Sequence, residues 1–180
     1  MRLGWFASRI LDLLRLRCGP QDLPHSPALL VRLVVLAFFV DFIAAQLLAA
    51  GDESPLRFVV AFGVGLLLPW LLLSWNGKSA RYVQTLLALL GTGIALSLVF
   101  LPLALLAISS GMADPAATPS PRQALLAWLI LATVVWKVVV AAGIWRHALG
   151  WPMAAGVGVA LLLLVLEFGL DRLLFGGASA

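Results

Sequence analysis

Charged side chains are scarce in this sequence, and that scarcity excludes an ordinary soluble protein. Only 11% of the 180 residues are charged, whereas 63% are apolar. Soluble domains have roughly 25% charged and 45–50% apolar residues. The apolar residues also occur in continuous runs, without the polar face that a surface helix of a soluble protein needs. The composition therefore indicates an integral membrane protein, with little chain left for a domain outside the membrane.

Cysteine and the motifs of common active sites are nearly absent as well. The single cysteine, Cys18, excludes an intrachain disulfide and a cysteine cluster for metal. The sequence has no H-E-x-x-H motif, no nucleotide-binding loop and no recognisable Ser/His/Asp set. Three G-x-G pairs favour close helix packing over dinucleotide binding. We therefore expect no catalytic residues, no metal, no cofactor and no enzymatic activity.

Five apolar segments are each about as long as a membrane-spanning helix, which takes about 20 residues. The predicted spans are residues 28–50, 58–75, 82–108, 124–149 and 151–175. The last two should form an antiparallel hairpin, because little more than Gly150 separates them. Pro69 should kink the second span, and a neighbouring helix can then supply a donor to the freed backbone. The predicted fold is all-α, a bundle of five transmembrane helices in residues 28–175, with residues 176–180 as a flexible tail.

The first 27 residues precede this bundle and are predicted to lie in the cytoplasm. Residues 3–17 place apolar side chains at helical spacing, with most charged ones opposite. This pattern predicts a short amphipathic helix in the headgroup layer, its apolar face towards lipid; a frayed tail that only marks topology is the alternative. Residues 18–27 hold three prolines, which predict a bent loop. The side chains expected at the lipid interface are Trp5, Arg9, Arg15, Arg17, Arg146 and His147.

Lysines and arginines are distributed unequally between alternate connections. One side collects Arg2, Arg9, Arg15, Arg17, Lys78, Arg81 and Arg146; the other collects Arg57, Arg122 and Arg172. The positive-inside rule therefore predicts a cytoplasmic N-terminus and a C-terminus on the opposite side. Both the orientation and the odd number of spans depend on this alternation.

Three ionisable residues lie inside the predicted spans: Asp41, Lys137 and Glu167. At a rise of about 1.5 Å per residue, Asp41 and Glu167 lie roughly 12–13 Å from the outer ends of their helices, and Lys137 about 20 Å. Because a lysine side chain reaches about one helical turn, the three charges could meet in the outer half. Two interpretations are open. The charges form a buried ion pair that fixes helix order, or they serve as a proton relay, ion relay or polar-substrate site.

Two segments carry a resemblance to a known family: SARYVQTLLALLGTGIALSLVFLPLALL and VVWKVVVAAGIWRHALGWPMAAGVGVALLLLVL. The first has a polar start, Gln84-Thr85, and a late proline, Pro102. The second has a His-Ala-Leu corner and a last span that begins with small residues. In these features the chain resembles the small bacterial Yip1-like membrane proteins, over roughly Arg9–Leu170. The resemblance implies five closely packed spans and a membrane organiser, or a protein that affects trafficking or lipid. Together with the positive-inside rule, it predicts a bacterial inner membrane with a periplasmic C-terminus.

The expected function follows from these features. We predict a non-enzymatic inner-membrane protein that binds partner proteins or lipids. A small transporter or channel component that uses Asp41, Lys137 and Glu167 is the alternative; the absence of a visible inverted repeat argues against the common transporter folds. The expected partners are the lipid bilayer and either another membrane protein or a second copy of the chain, and not nucleic acid.

Overall fold

The structure is a computed structural model that describes residues 3–48, 54–111 and 120–175, with side chains from Gly4 to Leu166 within those ranges. All regular structure in this part of the chain is helical. The helices are α1 (Leu3–Leu14), α2 (Pro27–Leu48), α3 (Pro55–Trp75), α4 (Tyr82–Ser109), α5 (Pro121–Leu149) and α6 (Met153–Phe175). Short 3-10 turns occupy Pro20–Asp22 and Ser79–Arg81. The predicted flexible tail, residues 176–180, lies outside the described residues.

Four of these helices are long and apolar enough to cross a membrane: α2, α3, α4 and α5. This result confirms the all-helical class and the membrane-compatible character that the composition predicts. In α6 the apolar stretch with described side chains, Met153–Leu166, is shorter than a span. The fifth span therefore stays a prediction from the sequence.

The helix ends have local causes in the sequence. Three helices begin with proline, whose missing N–H would lack an intrahelical partner at that position anyway: Pro27, Pro55 and Pro121. Before α5, Ser120 and Gln123 form a capping box, in which each side chain accepts a hydrogen bond from the other residue's backbone N–H. Gly150 ends α5 in the left-handed conformation, with φ +66°.

Helix α4 occupies the centre of the bundle and contacts α1, α2, α3 and α5. Helices α5 and α6 pack closely as the hairpin that the sequence predicts. Gly156 permits this approach, because a β-carbon there would meet the Ala142 carbonyl oxygen. By contrast, α2 and α3 meet through aromatic rings. The ring centroids of Phe38 and Phe62 are 5.3 Å apart, and those of Phe42 and Phe58 are 5.2 Å apart.

The tightly packed core lies near one end of the bundle, which we call the α1 end. Here α1, the α3–α4 turn and the α5–α6 corner come together. One buried cluster joins α1, α2, α4 and α5, and another joins α3, α5 and α6. Residues 121–139 of α5, all of them described, have only Leu126 buried. Helix α5 is thus packed against its neighbours at the α1 end, while its other half leaves apolar side chains exposed.

Hydrogen bonds join neighbouring segments of the chain at each end of the bundle. At the α1 end, Lys78 Nζ donates to the Leu149 carbonyl. Arg81 Nη1 donates to the carbonyls of Ala148 at 3.0 Å and His147 at 3.2 Å. These are the last carbonyls of α5, which have no intrahelical donors. At the other end, Gln123 Nε2 donates to the Ser110 carbonyl at 2.8 Å. Alternate connections therefore lie at opposite ends of the bundle.

Pro69 lies buried inside α3, where it removes a backbone donor. The Tyr82 hydroxyl at the start of α4 donates to the Leu66 carbonyl in the same disturbed turn, at 3.1 Å. A neighbouring helix therefore supplies a hydrogen bond to the carbonyl that follows that of Gly65, the acceptor whose helical donor Pro69 removes. A donor to the Gly65 carbonyl itself stays a prediction. Because Tyr82 comes from α4, this bond also fixes α3 against the central helix.

Candidate functional site

Helix α1 is held by protein contacts along one side. Ile10 and Leu13 are 7% and 2% exposed, and they pack against residues of α4 and α5. The Ile10 side chain occupies the space beside Gly91, where a β-carbon would collide with it. The sequence assigns these apolar side chains to lipid, but the protein buries them instead. The cause is the groove that Gly91 leaves on α4, and an amphipathic pattern alone cannot reveal such a groove.

The end of α1 has an unusual residue in a common motif. The Arg17 N–H donates to the Asp12 carbonyl and the Leu16 N–H to the Leu13 carbonyl, each at 2.9 Å. This is the Schellman arrangement, whose left-handed position usually carries glycine. Here it carries Leu16, with φ +58°, at a cost of roughly 1–2 kcal/mol. The leucine side chain reaches Gly143 of α5, where a β-carbon would lie 2.9 Å from Leu16 Cδ2.

The proline-rich connection after α1 is docked onto α4. Pro20 and Leu23 are buried. Gln84 Nε2 of α4 donates to the Leu23 carbonyl at 2.6 Å. The Gly19 N–H donates to Asp22 Oδ2 at 2.8 Å, which closes the turn. The segment therefore forms a bent loop, as predicted, and it fixes α1 relative to the bundle.

A cavity of about 190 Å³ lies where the end of α1 meets the α5–α6 corner. Its apolar wall includes Leu13, Leu16, Val140 and Met153. Its polar groups are Cys18, Arg146 and His147. Two of these, Arg146 and His147, are predicted interface residues, and the fold brings them beside the docked N-terminal segment. Sequence reasoning missed the cavity, because its walls come from residues that are more than a hundred positions apart.

The polar groups of this cavity have defined partners. His147 Nδ1 lies 2.7 Å from the Gly143 carbonyl, so Nδ1 carries the proton and Nε2 is left for another partner. Cys18 Sγ donates to the Arg9 carbonyl at 3.7 Å. Burial raises the pKa of the Cys18 thiol because it desolvates the thiolate, and the charges of Asp22 and Asp12 raise it further. Cys18 is therefore a neutral thiol at physiological pH.

The other predicted interface residues lie on the outside of α1 and its end. Arg9 lies over the Trp5 ring, 5.5 Å from its centroid, and forms an ion pair with Asp12 at 3.9 Å. Arg15 and Arg17 are exposed, as is Arg146 of α5. The α1 end therefore carries exposed guanidinium groups on a docked, well-defined scaffold. Their contact with lipid stays a prediction.

The intramembrane charges form a second candidate site. Asp41 on α2, Ser97 on α4 and Lys137 on α5 each lie about 20 Å from the α1 end of their helix, at 1.5 Å per residue. The Ser97 hydroxyl donates to Asp41 Oδ1 at 3.4 Å, and Lys137 interacts electrostatically with Asp41. Both charged groups are in the described part of the chain, and they do not come within 4.0 Å of each other. They are neighbours without forming a direct salt bridge.

The surroundings of Lys137 explain that separation. Its side chain is exposed, and it lies in the half of α5, residues 121–139, in which only Leu126 is buried. Asp41 is half-buried and faces α4. Glu167 belongs to α6, but its side chain is outside the described part. Ser97 was not predicted from the sequence as a member of this site. A signal was present, because Ser97 is a hydroxyl residue in an otherwise apolar span at the same depth as Asp41 and Lys137.

Comparisons with protein-family models, curated proteins and solved structures found no match to this chain. Among the residues that the structure describes, no three His, Cys, Asp or Glu side chains come together as a metal site would require. The geometry thus offers two candidate sites: the α1 end with its cavity and arginines, and the Asp41–Ser97–Lys137 group within the spans.

Proposed function

We propose that this is a non-enzymatic membrane protein that binds anionic lipids at the cytoplasmic face through its α1 end. The observation that carries the proposal is the arrangement of buried and exposed side chains at the α1 end. Ile10 and Leu13 anchor the helix to the bundle, while Arg15, Arg17 and the neighbouring Arg146 stay exposed. Arginines on a fixed scaffold at a membrane surface attract anionic lipid, each by about 1 kcal/mol.

The proposal includes the features that the sequence predicts beyond the described fold. These are a fifth span in α6, an inner membrane of a bacterium, a cytoplasmic N-terminus and a periplasmic C-terminus. The concentration of basic side chains at the α1 end supports this orientation. Membership in the Yip1-like group stays a prediction from the sequence pattern, and a role in organising membranes through lipid contacts is compatible with it.

Spin-labelled lipids test the proposal directly. The full-length protein is reconstituted in phosphatidylcholine, and the association of labelled phosphatidylglycerol relative to labelled phosphatidylcholine is measured. We expect a clear preference for phosphatidylglycerol. Replacing Arg15, Arg17 and Arg146 with glutamine should remove most of that preference, because each arginine contributes about 1 kcal/mol, a factor of about five.

The matched control replaces the same three arginines with lysine. This triple variant keeps the charges, so it should keep most of the preference, and raising the salt concentration should weaken it in parallel with the wild type. Equal association of the two lipids with the wild-type protein would contradict the proposal. So would a glutamine variant that retains the full preference.

A small transporter or channel component is the second candidate, and one observation favours it. Lys137 is exposed at mid-membrane depth and interacts with Asp41 without a direct salt bridge, which leaves room for water or an ion between them. Proteoliposomes with a pH-sensitive dye would test it. Proton or cation flux that is lost in Asp41→Asn, with the fold retained, would favour transport; no flux above protein-free vesicles would exclude it for these ions.

A further inference from the structure

We propose that the cavity between α1, α5 and α6 is a defined site for one anionic phospholipid. The phosphate binds Arg146, the rest of the headgroup lies beside His147, and the beginning of an acyl chain lies against Leu16, Val140 and Met153. The site presupposes the lipid binding proposed above, and it adds a specific position to what could otherwise be a diffuse attraction of anionic lipid to arginines.

Two adjacent side chains supply the contacts for the headgroup. Arg146 lines the cavity and is exposed, and its planar guanidinium can donate two parallel hydrogen bonds to a phosphate. His147 lines the same cavity. Since its Nδ1 already bonds the Gly143 carbonyl, Nε2 is the nitrogen available to a ligand. In this tautomer Nε2 accepts, so it can take a hydrogen bond from a hydroxyl of the headgroup.

The position at the end of α5 would ordinarily oppose an anion, because a helix C-terminus carries partial negative charge. Lys78 and Arg81 remove that obstacle. Their side chains donate to the carbonyls of Leu149, Ala148 and His147, which are the source of the negative end. The nearby carboxylates are also engaged. Asp12 pairs with Arg9, and Asp22 accepts the Gly19 N–H.

The apolar part of the cavity suits an acyl chain better than water. Its volume of about 190 Å³ has room for several water molecules. Leucine, valine and methionine walls would leave most of those waters without hydrogen-bond partners. Because the cavity lies where the transmembrane part of α5 ends, a lipid in the bilayer would meet it at the level where headgroup and acyl chain join.

The strained end of α1 fits the same interpretation. Glycine at position 16 would complete the helix cap without cost, but Leu16 provides a wall of the cavity above Gly143. Backbone strain that persists at such a position is typical of a functional constraint. Leu16 therefore forms part of the cavity wall, although glycine at this position would end the helix with less backbone strain.

The single cysteine of the chain allows a direct test, because Cys18 lines the cavity. The full-length protein is placed in nanodiscs of phosphatidylcholine alone or mixed with phosphatidylglycerol, and the rate of Cys18 alkylation by a small uncharged reagent is measured. Phosphatidylglycerol should slow the reaction about tenfold when it is present at about ten times its Kd. The double variant Arg146→Gln, His147→Gln should lose this protection.

Controls separate the site from general effects of the membrane. An anionic surface lowers the local pH and slows alkylation of any thiol, but it does so equally in the double variant, so the difference between the two proteins reports the site. Arg122→Gln removes an exposed arginine at the opposite end of α5 and should keep the protection. Met153→Phe keeps both headgroup ligands but fills the apolar part, and it should reduce the protection even if the double variant fails to fold.

The outcomes distinguish this site from the proposed function. An alkylation rate that is the same in both membranes would overturn the site, and so would full protection in the double variant or in Met153→Phe. If the wild type nevertheless prefers spin-labelled phosphatidylglycerol, only the cavity site is wrong and the arginines act diffusely. If it shows no such preference, both proposals fail.

Discussion

At the scale of single residues, Leu16 departs most clearly from what its type favours. A β-carbon in the left-handed region costs roughly 1–2 kcal/mol, and only glycine escapes that cost. We expect Leu16→Gly to be more stable than Leu16→Ala by about 1 kcal/mol, because both lose the leucine side chain but only alanine keeps the strain. Unfolding in mixed detergent micelles, followed by circular dichroism, measures the difference. Equal stability of the two variants would show that residue 16 is not strained.

The charges inside the spans make a second prediction at this scale. Lys137→Met leaves Asp41 without its cation, and Asp41→Leu leaves Lys137 without its anion. The double variant should recover part of the loss, with a coupling free energy of about 1 kcal/mol, since the two groups interact without a direct salt bridge. The same unfolding experiment on the four proteins of the cycle gives this coupling. Strict additivity would mean that the charges do not interact.

Ser97 provides the comparison variant for that cycle. Its hydroxyl donates to Asp41 at the long distance of 3.4 Å. Ser97→Ala should therefore cost at most about 1 kcal/mol in the wild type, and almost nothing in the Asp41→Leu background. A loss of the same size in both backgrounds would indicate that Ser97 acts through packing and not through the carboxylate.

At the scale of helices, the end of α5 depends on side chains from another connection. Arg81 bonds two of its last carbonyls, and Lys78 bonds a third. Arg81→Gln should lower the free energy of unfolding by about 1 kcal/mol, because a cation at a helix C-terminus is lost together with its hydrogen bonds. Thermal unfolding in detergent, compared with Arg122→Gln at the opposite end, measures the effect. An equal change in both variants would contradict a specific role for Arg81.

The long helices were predictable from sequence, and the packing of α1 was not. Continuous apolar runs identify α2 to α5 because no other structure satisfies so many backbone groups in lipid. The amphipathic pattern of α1 is the same whether its apolar face meets lipid or protein. Only the groove at Gly91 and the contact of Leu16 with Gly143 show that this face meets protein. Both contacts depend on residues far apart in the chain.

Glycine patterns show the same limit. Gly91 and Gly156 lie in close contacts, as the G-x-G pairs predict, whereas a β-carbon at Gly63, Gly93 or Gly158 would meet nothing within 4 Å. A small residue is necessary for close packing but does not cause it. Likewise, the positions of Asp41 and Lys137 along their helices followed from residue counts, but the exposure of Lys137 did not, because it depends on how α5 packs against its neighbours.

At the scale of the whole molecule, the topology is the most general prediction. By the positive-inside rule, the basic side chains of the α1 end predict that this end lies in the cytoplasm, and five spans would then put the C-terminus outside. Alkaline phosphatase fused after Ala180 should be active, and a green fluorescent protein at the same position should remain dark. The reverse pattern would contradict the orientation or the fifth span.

The central claim is that the α1 end holds its arginines against anionic lipid. Native mass spectrometry of the intact protein, released from the membrane in which it is expressed, tests this most directly, because it weighs the lipids that stay bound. We expect anionic phospholipid on the wild-type protein and little on the glutamine variant of Arg15, Arg17 and Arg146. Retention of only zwitterionic lipid, or equal retention of anionic lipid by both proteins, would contradict the claim.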